Sequence, residues 1–313
     1  MIKSKNEIQD TGLSSKYQTR TQRIIEKNGS FNVRKTGIGR LESFNLYHYL
    51  INVSWPRFFL LALIFYVVVN ALFTVFYVIA GPEHLGIETD QGALHSVMNS
   101  FFFSAQTLTT VGFGRVNPQN FWTNVVATLE AGIGLMVFAV ATGLLYGRFS
   151  RPVTNILFSE NAIITKWGEN QTAFQFRIAN AFSTNMMEAE IKLMGSWLEK
   201  VNGGTEIRRF YNLDLEYRKI NFFPTVWTVN HIINEESPLF GKSFEELDKG
   251  DAEFLILFKA YDDTFAQTVN ARYSYTHDEL VYGVKYIHII SIDGTGRTTV
   301  ELDRLNDFEK VEM

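Results

Sequence analysis

The fold is decided by a six-residue stretch, TTVGFG, which runs from Thr109 to Gly114. A shorter apolar stretch, Val97 to Leu108 (VMNSFFFSAQTL), precedes it directly. A longer apolar run lies on each side, Phe58 to Ala80 (FFLLALIFYVVVNALFTVFYVIA) and about Val125 to Phe149 (VVATLEAGIGLMVFAVATGLLYGRF). We therefore interpret TTVGFG as a special loop between two long helices.

The two long runs have the length and composition of membrane spans. The first contains no charge and two clearly polar side chains, Asn70 and Thr74. As a helix it measures about 34 Å, enough to cross a hydrocarbon core of about 30 Å. A buried helix of a soluble protein is the alternative. The second run carries Glu130, and because a charge in a span normally faces protein or water, we predict that this helix is the inner one.

The short stretch before the loop cannot span, so we interpret it as re-entrant. Irregular backbone survives at membrane depth only where it is buried in protein or lines a water-filled cavity. A helix, a re-entrant segment, a loop and a second helix together are the pattern of a pore.

The loop itself has the features of an ion-selectivity filter. Such filters replace the water around K⁺ with rings of backbone carbonyls, one ring from each residue of four identical loops. Alternating Gly112 and Gly114 accept positive φ, which lets successive carbonyls face one axis. The predicted K⁺ ligands are the carbonyls of Thr110, Val111, Gly112 and Phe113, with the Val111 and Phe113 side chains packed on the pore helix. A simple glycine-rich turn is the alternative.

Composition excludes several other classes of protein. The chain has 313 residues, 46% of them apolar, and a net charge of -4, which gives no case for nucleic-acid binding. It contains no Cys, so disulfides, cysteine-ligated zinc and thiol catalysis are excluded. Its six His show no metal-ligand spacing, and we expect no enzyme activity.

Positive charge predicts the orientation. Residues 1–57 hold ten Lys or Arg, whereas the connection from Gly81 to Phe121 holds one, Arg115. The positive-inside rule therefore places both termini in the cytoplasm of a multi-pass protein of the cell (inner) membrane.

After Pro152 the sequence changes to short alternating runs separated by turns, which predict an all-β sandwich. The runs are FQFRI (Phe174 to Ile178), VWTVNHII (Val226 to Ile233), FLILFKAY (Phe254 to Tyr261), VNARYSY (Val269 to Tyr275) and YIHIISI (Tyr286 to Ile292). Predicted turns are Asn202-Gly203-Gly204, Lys249-Gly250-Asp251 and Asp293-Gly294. Residues 1 to about 40 read as a largely disordered tail in which residues 31–34 add a strand to this sheet.

Several motifs resemble the prokaryotic inward-rectifier potassium channels, over roughly residues 40 to 305. They are TTVGFG, VSWPRFF (Val53 to Phe59), GLLYGRFSRP (Gly143 to Pro152), NEESPLFG (Asn234 to Gly241), FAQTVNARYSY (Phe265 to Tyr275) and HDELVYG (His277 to Gly283). The resemblance implies a homotetramer that conducts K⁺ passively, with an immunoglobulin-like cytoplasmic domain. Two positions depart from relatives: Phe113 replaces the common filter Tyr, and Gln106 replaces a Glu of eukaryotic relatives.

The predicted fold class is thus a membrane α-helical pore joined to an all-β domain. The expected segments are a polar tail (1–43), an interfacial slide helix (44–56), a pore domain (57–150) and an immunoglobulin-like domain (151–313). Within the pore domain we expect an outer helix (57–80), a pore helix (96–109), the filter (110–114) and an inner helix (121–150). We expect Pro56 to break the chain between the slide helix and the outer helix.

The resemblance also implies a gate in the inner helix. It places Phe138 and Tyr146 on the pore-lining side, with Tyr146 at the cytoplasmic crossing of four helices. Hydrophobic constrictions of this kind close by dewetting. Gly134 and Gly143 are candidate hinges. Ordinary helix packing is the alternative for all four residues.

Further candidate sites are charged. Arg57, Arg148, Arg151 and Lys166 are candidates to bind anionic lipid head groups, with simple positive-inside topology as the alternative. Glu279 is the candidate for a ring of carboxylates in the cytoplasmic pore.

Glu130 is the candidate to support the filter or to make the channel sensitive to pH; a silent hydrogen-bonded carboxylate is the alternative. Because no acid lies between Leu135 and Tyr146, we expect cavity block by Mg²⁺ or polyamines to be weak.

Two rival functions remain open from the sequence. Phe113 lacks the hydroxyl that tethers a filter, which motivates a weakly selective cation channel of the same architecture. The other rival is a non-conducting, membrane-anchored binding module in which the β domain is the active part.

Overall fold

The structure, a computed structural model, describes residues 23–34, 36, 37, 39, 45–87, 90, 92–151, 155–182, 184–200 and 206–311. The chain divides into two compact units, residues 37–151 and residues 152–313 with the N-terminal segment up to residue 36. The predicted turn at 202–204 and most of the predicted tail lie outside the described residues.

The first unit is helical. Its described helices are α1 (Leu46–Asn52), α2 (Trp55–Ala80), α3 (Ala93–Leu108) and α4 (Phe121–Phe149), with a 3₁₀ turn at Pro82–Leu85. Helices α2 and α4 are each long and apolar enough to cross a membrane, whereas α3 has only 16 residues. Two spans around a short pore helix are the predicted membrane fold, which is confirmed.

The break between α1 and α2 differs from the prediction. Helix α2 begins at Trp55, directly after Ser54, so Pro56 lies in its first turn. Proline is tolerated there because the N–H it lacks has no partner inside the helix. The chain turns at Val53 and Ser54 instead, both of which have extended ψ angles near 150°. The expected break at Pro56 is therefore wrong by two to three residues.

Helix α3 packs closely against both long helices. The Tyr77 ring of α2 meets the Phe103 ring of α3 edge to face, with centroids 5.0 Å apart. On the other side, Gly134 of α4 lies directly against the end of α3, where a Cβ atom would overlap the Leu108 carbonyl oxygen. Gly143 has no atom within 4 Å of a Cβ position in this chain. Close approach thus explains Gly134 without a hinge, whereas Gly143 stays a predicted hinge.

The second unit is all-β. Its described strands are β1 (Ile156–Phe158), β2 (Ala162–Trp167), β3 (Gln171–Asn180), β4 (Met186–Lys200), β5 (Glu206–Leu213), β6 (Lys219–Phe223), β7 (Val226–Ile233), β8 (Glu253–Asp262), β9 (Gln267–Thr276), β10 (Leu280–Tyr282), β11 (Val284–Tyr286), β12 (Ile290–Ile292), β13 (Thr298–Val300) and β14 (Phe308–Lys310). The predicted run at 286–292 is split between β11 and β12. A short helix, α5 (Phe244–Lys249), was not predicted; Ser243 caps it, and the predicted turn at 249–251 ends it.

Two five-stranded sheets form the sandwich. One has the order β1-β3-β2-β10 with β7 also paired to β3, and the other β5-β4-β8-β9 with β6 also paired to β4. Side chains from both sheets share one core, in which the rings of Phe174 (β3) and Phe254 (β8) lie 4.7 Å apart. The predicted all-β domain is confirmed.

The N-terminal segment at residues 23–34 is attached to this unit. Ile24 and Ile25 are buried, and their backbone N–H groups donate to the Glu253 carboxylate at 2.8 to 3.2 Å. The expectation of disorder is wrong for these residues. In place of the strand expected at 31–34, Phe31 forms a single antiparallel β-bridge with Ile25, which belongs to the same segment.

The close approach of α4 to α3 predicts a sharp difference between two glycines. Gly134→Ala forces a Cβ against the Leu108 carbonyl, and overpacking of this kind costs about 2 kcal/mol. Gly143→Ala is the matched control, because its Cβ enters open space and alanine favours a helix. We expect a lower thermal unfolding midpoint in detergent for the first variant alone. Equal midpoints would contradict the packing role.

Candidate pore and selectivity filter

The loop after α3 has an alternating backbone. Thr110, Gly112 and Gly114 have positive φ angles of 59°, 56° and 80°. Glycine adopts this conformation at no cost, whereas it is rare for a branched residue such as Thr110. The backbone N–H groups of Val111 and Gly112 donate to the Gln106 carbonyl at 2.9 and 3.4 Å. The loop is therefore anchored through its N–H groups to the end of α3.

The carbonyls of the same loop have no protein partner. Within the described part of the chain, no group donates a hydrogen bond to the carbonyl oxygens of residues 110–113. Backbone carbonyls away from water need a partner, and a dehydrated cation supplies one. These are the four carbonyls predicted to ligate K⁺, and their lack of protein donors is what that role requires.

The filter side chains do not pack as expected within one chain. Val111 is 53% exposed and Phe113 is 77% exposed. The predicted packing on the pore helix is therefore not made by the chain's own α3.

A buried carboxylate connects the three helices behind the filter. Glu130 of α4 is fully buried and accepts hydrogen bonds from the Tyr77 hydroxyl of α2, at 2.5 Å, and from the Ser104 hydroxyl of α3. The Ser104 oxygen also lies 3.0 Å from the amide oxygen of Asn70 in α2. We call these four residues the carboxylate clamp. It holds the pore helix to both spanning helices.

The partners of Glu130 were not predicted, although the sequence contains a signal for them. Asn70 and Tyr77 are two turns apart and so lie on one face of α2, and a polar residue inside a span points to a function. On α3, Ser96, Ser100 and Ser104 recur every four residues and all are buried. The helical spacing and the polarity of these residues would together have identified the faces of α2 and α3 that contact Glu130.

The side chains of the two predicted gate residues are exposed in the single chain. Phe138 and Tyr146 are each 73% exposed on α4. No ring contact of either side chain is present among the described residues. Both are therefore free to meet copies of themselves in an assembly.

The predicted lipid-binding residues fall into two groups. Arg148 donates to the carbonyl oxygens of Leu50 and Val53 and lies 4.4 Å from the Trp55 ring, so it binds the protein at the break between α1 and α2. Arg151 donates to the side chain of Asn52 in α1.

Arg57 and Lys166 are exposed, and neither has an ion-pair partner among the described residues. Arg57 belongs to the helical unit and Lys166 to the β unit. They keep the lipid-binding prediction, whereas a lipid role for Arg148 would compete with its contacts to the protein.

Glu279 does not fit its predicted role as a free pore carboxylate. Its side chain is only 13% exposed and pairs with Arg23 at 2.9 Å and Lys27 at 2.7 Å. Burial acts to raise the pKa of Glu279, but the hydrogen bonds from Arg23 and Lys27 outweigh it, and the pKa lies below the ordinary value. The carboxylate therefore anchors the N-terminal segment. The sequence did not predict this contact, because the paired residues are far apart along the chain.

Comparisons with known proteins agree on one family. Residues 156–313 match the family model described as the inward rectifier potassium channel C-terminal domain, and residues 60–151 match the ion channel model. The chain is 35% identical to the inward rectifier potassium channel Kirbac3.1 of Paramagnetospirillum magnetotacticum, over 93% of this chain and 97% of that protein.

More distant relatives are eukaryotic. Identity is 24% to the inward rectifier potassium channel irk-1 of Caenorhabditis elegans, over 88% of this chain and 55% of the relative. Identity is 22% to the human inward rectifier potassium channel 18, over 84% of this chain and 65% of that relative.

The Glu279 anchor predicts that one substitution releases the N-terminal segment. We expect Glu279→Gln to speed hydrogen exchange of the Ile24 and Ile25 amides by about tenfold or more, because two charged hydrogen bonds are lost. The control is Glu309→Gln, whose pair with Lys285 is 55% exposed on both sides and is worth little.

Acid has the same effect on the unmodified chain when each exchange rate is compared with the intrinsic rate of an unstructured amide at the same pH. Because the pKa of Glu279 is lower in the folded than in the unfolded state, the anchor is complete above the ordinary carboxylate pKa and is lost as the pH falls through the lowered value. Exchange that is unchanged by both the substitution and acid would contradict the anchor.

The carboxylate clamp predicts a second substitution effect. The amide of Glu130→Gln keeps only one acceptor oxygen, so one of the two hydroxyl donors loses its acceptor in a buried site. This loss lowers the free energy of unfolding by about 2 kcal/mol. We expect a lower unfolding midpoint and a weaker preference for K⁺ over Na⁺ in reversal potentials. Thr128→Val, at an exposed position on the same helix, is the control. A normal midpoint with normal selectivity in Glu130→Gln would contradict the clamp.

Proposed function

Because the chain belongs to the inward rectifier potassium channel family, we propose that four copies form one K⁺ pore, gated at the inner-helix crossing by the β domain and by lipids. The chain is an inward-rectifier-type potassium channel of the membrane and not an enzyme, and K⁺ is its permeant ion. The four-fold assembly and the gate are the proposed part.

The filter is the observation that carries the proposal. One loop supplies one set of free carbonyls, and K⁺ is dehydrated only by rings of them, so a single chain encloses no pore. The exposed side chains of Val111 and Phe113 support the same conclusion, because apolar side chains at a filter need cover. Neighbouring copies provide both the ring and the cover in a homotetramer.

The exposure of Tyr146 and Phe138 supports the gate. Four copies of a large aromatic side chain converging on an axis form an apolar constriction that excludes water and ions. Tyr146 then closes the cytoplasmic end, and Phe138 narrows the cavity above it. Gly143 bends the helix between them when the gate opens.

Helix α1 couples to this gate through Arg148. The side chain extends from the last turn of α4, two residues after Tyr146, to carbonyls at the end of α1. A displacement of α1 therefore pulls on the helix segment that carries the gate. In the proposed mechanism, movement of the β domain, at residues 151–313, displaces α1 and opens the crossing.

We place both termini in the cytoplasm and the chain in the cell (inner) membrane, since residues 1–57 hold ten Lys or Arg and the connection from Gly81 to Phe121 holds one. We expect anionic lipid head groups to bind the exposed side chains of Arg57 and of Lys166. Block by Mg²⁺ or polyamines is weak, because α4 has no acid between Leu135 and Tyr146.

Flux in liposomes tests the pore and the gate together. We expect uptake of radioactive Rb⁺, driven by a K⁺ gradient, to be blocked by Ba²⁺ and unaffected by Na⁺. Tyr146→Ala removes the constriction, so uptake should rise several-fold. Phe121→Ala, an equally exposed aromatic at the other end of α4, is the control.

Two outcomes would overturn parts of the proposal. Uptake equally competed by Na⁺ would replace it with a weakly selective cation pore. A monomer in mild detergent, with no uptake from either Tyr146→Ala or the unmodified chain, would leave a non-conducting module.

A further inference from the structure

The filter loop is attached to the rest of the chain unevenly. Its inner half is anchored by the N–H groups of Val111 and Gly112, which both donate to the Gln106 carbonyl. In the described part of the chain, residues 113–116 make no hydrogen bond. Gly114 leaves the backbone free to rotate at this end, because glycine has no Cβ to restrict it. The outer half of the loop therefore depends on some other contact.

Val116 is the first residue after the filter whose side chain the protein covers. Residues 109–115 are all exposed, whereas Val116 is half-buried. It packs against four buried apolar side chains, which we call the outer cluster: Tyr77, Leu85, Ile87 and Phe103. Because the cluster joins α2, α3 and the 3₁₀ turn after α2, it fixes Val116 to the helices around the filter.

Two backbone hydrogen bonds support the same attachment. The N–H of Asn117 donates to the Leu85 carbonyl at 3.2 Å, and the N–H of Gln119 donates to the His84 carbonyl at 2.8 Å. Both acceptors lie in the 3₁₀ turn that follows α2. Both bonds are farther along the chain from the filter than Val116. Within the described residues, the Val116 side chain is therefore the first attachment after the filter.

We propose that Val116 is a positioning residue, which packs in the outer cluster and so holds the outer end of the filter in its conducting form when few ions occupy it. The inference rests on the proposed four-chain pore, in which four loops present their carbonyls to one axis. Carbonyl oxygens that face each other without a cation repel, and a bound K⁺ removes this repulsion. When outer K⁺ is scarce, the attachment of the loop is what resists rotation of the outer carbonyls. Val116 thus sets how long the pore continues to conduct.

Recording of full-length channels in planar bilayers tests this role. The solution on the outer side is switched from high to low K⁺, with an impermeant cation as replacement, and the decline of the outward current is timed. For Val116→Ala we expect the decline to be about fivefold faster, because two methyl groups are removed from a packed site. High outer K⁺ should restore the current. Conductance in high K⁺ should be unchanged, since bound ions then hold the carbonyls.

Three comparisons separate this role from a general loss of packing. Val116→Ile keeps the apolar contact, so its current should decline at the unmodified rate. Val125→Ala removes the same two methyl groups from a half-buried valine of α4 that does not belong to the outer cluster, and it should also decline at that rate. Low K⁺ on the cytoplasmic side should not distinguish Val116→Ala from the unmodified channel, because the inner half of the loop keeps its hydrogen bonds to Gln106.

Three results would overturn the proposal. They are a decline at the unmodified rate in Val116→Ala, an equally fast decline in Val125→Ala, and the same acceleration when K⁺ is lowered on the cytoplasmic side instead. If the unmodified channel conducts in these recordings, failure of the positioning role leaves the proposed pore intact. If no variant conducts, including Tyr146→Ala, the pore itself fails and the role of Val116 fails with it.

Discussion

The position of the filter depends on where α3 ends, and the buried carboxylate of Glu130 is the interaction that holds α3 in place. A polar group away from water is costly unless hydrogen bonds satisfy it, so a carboxylate between helices has few acceptable arrangements. Hydroxyls from α2 and α3 provide one of them. On the same face of α4, Gly134 lets the backbone of α3 approach closely. Together they fix the carbonyl of Gln106, to which the filter loop is tied.

A second charged side chain organises the other end of the membrane unit. The last carbonyls of a helix have no partner inside it, and the turn between α1 and α2 leaves such groups exposed. Arg148 donates to carbonyls at this turn while its guanidinium stacks near Trp55. One residue near the end of α4 therefore satisfies the backbone of the preceding turn and couples α1 mechanically to the proposed gate.

Charged side chains have the same anchoring role in the β unit. The Glu253 carboxylate accepts from the backbone of Ile24 and Ile25, and Glu279 binds Arg23 and Lys27. Each carboxylate joins the N-terminal segment to a part of the β unit more than 200 residues away in sequence, as the separations of 229 and 256 residues illustrate. The polar composition of residues 1 to about 40 predicted a largely disordered tail. Composition cannot indicate which distant residues bind such a segment.

Local patterns in the sequence established the architecture of this protein. The lengths of the apolar runs defined the spans, alternate glycines marked the filter loop, and alternation of apolar and polar residues predicted the β strands, because each depends only on neighbours along the chain. Only the tertiary structure decided which hydroxyls bind Glu130 and that Gly134 packs against α3. It alone also decided that Arg148 binds carbonyls near α1 and that Glu279 pairs with the N-terminal segment. The clamp partners Tyr77 and Glu130 are 53 residues apart, and no periodic pattern relates such positions. Three-dimensional packing brings them together, and so it alone assigns their roles.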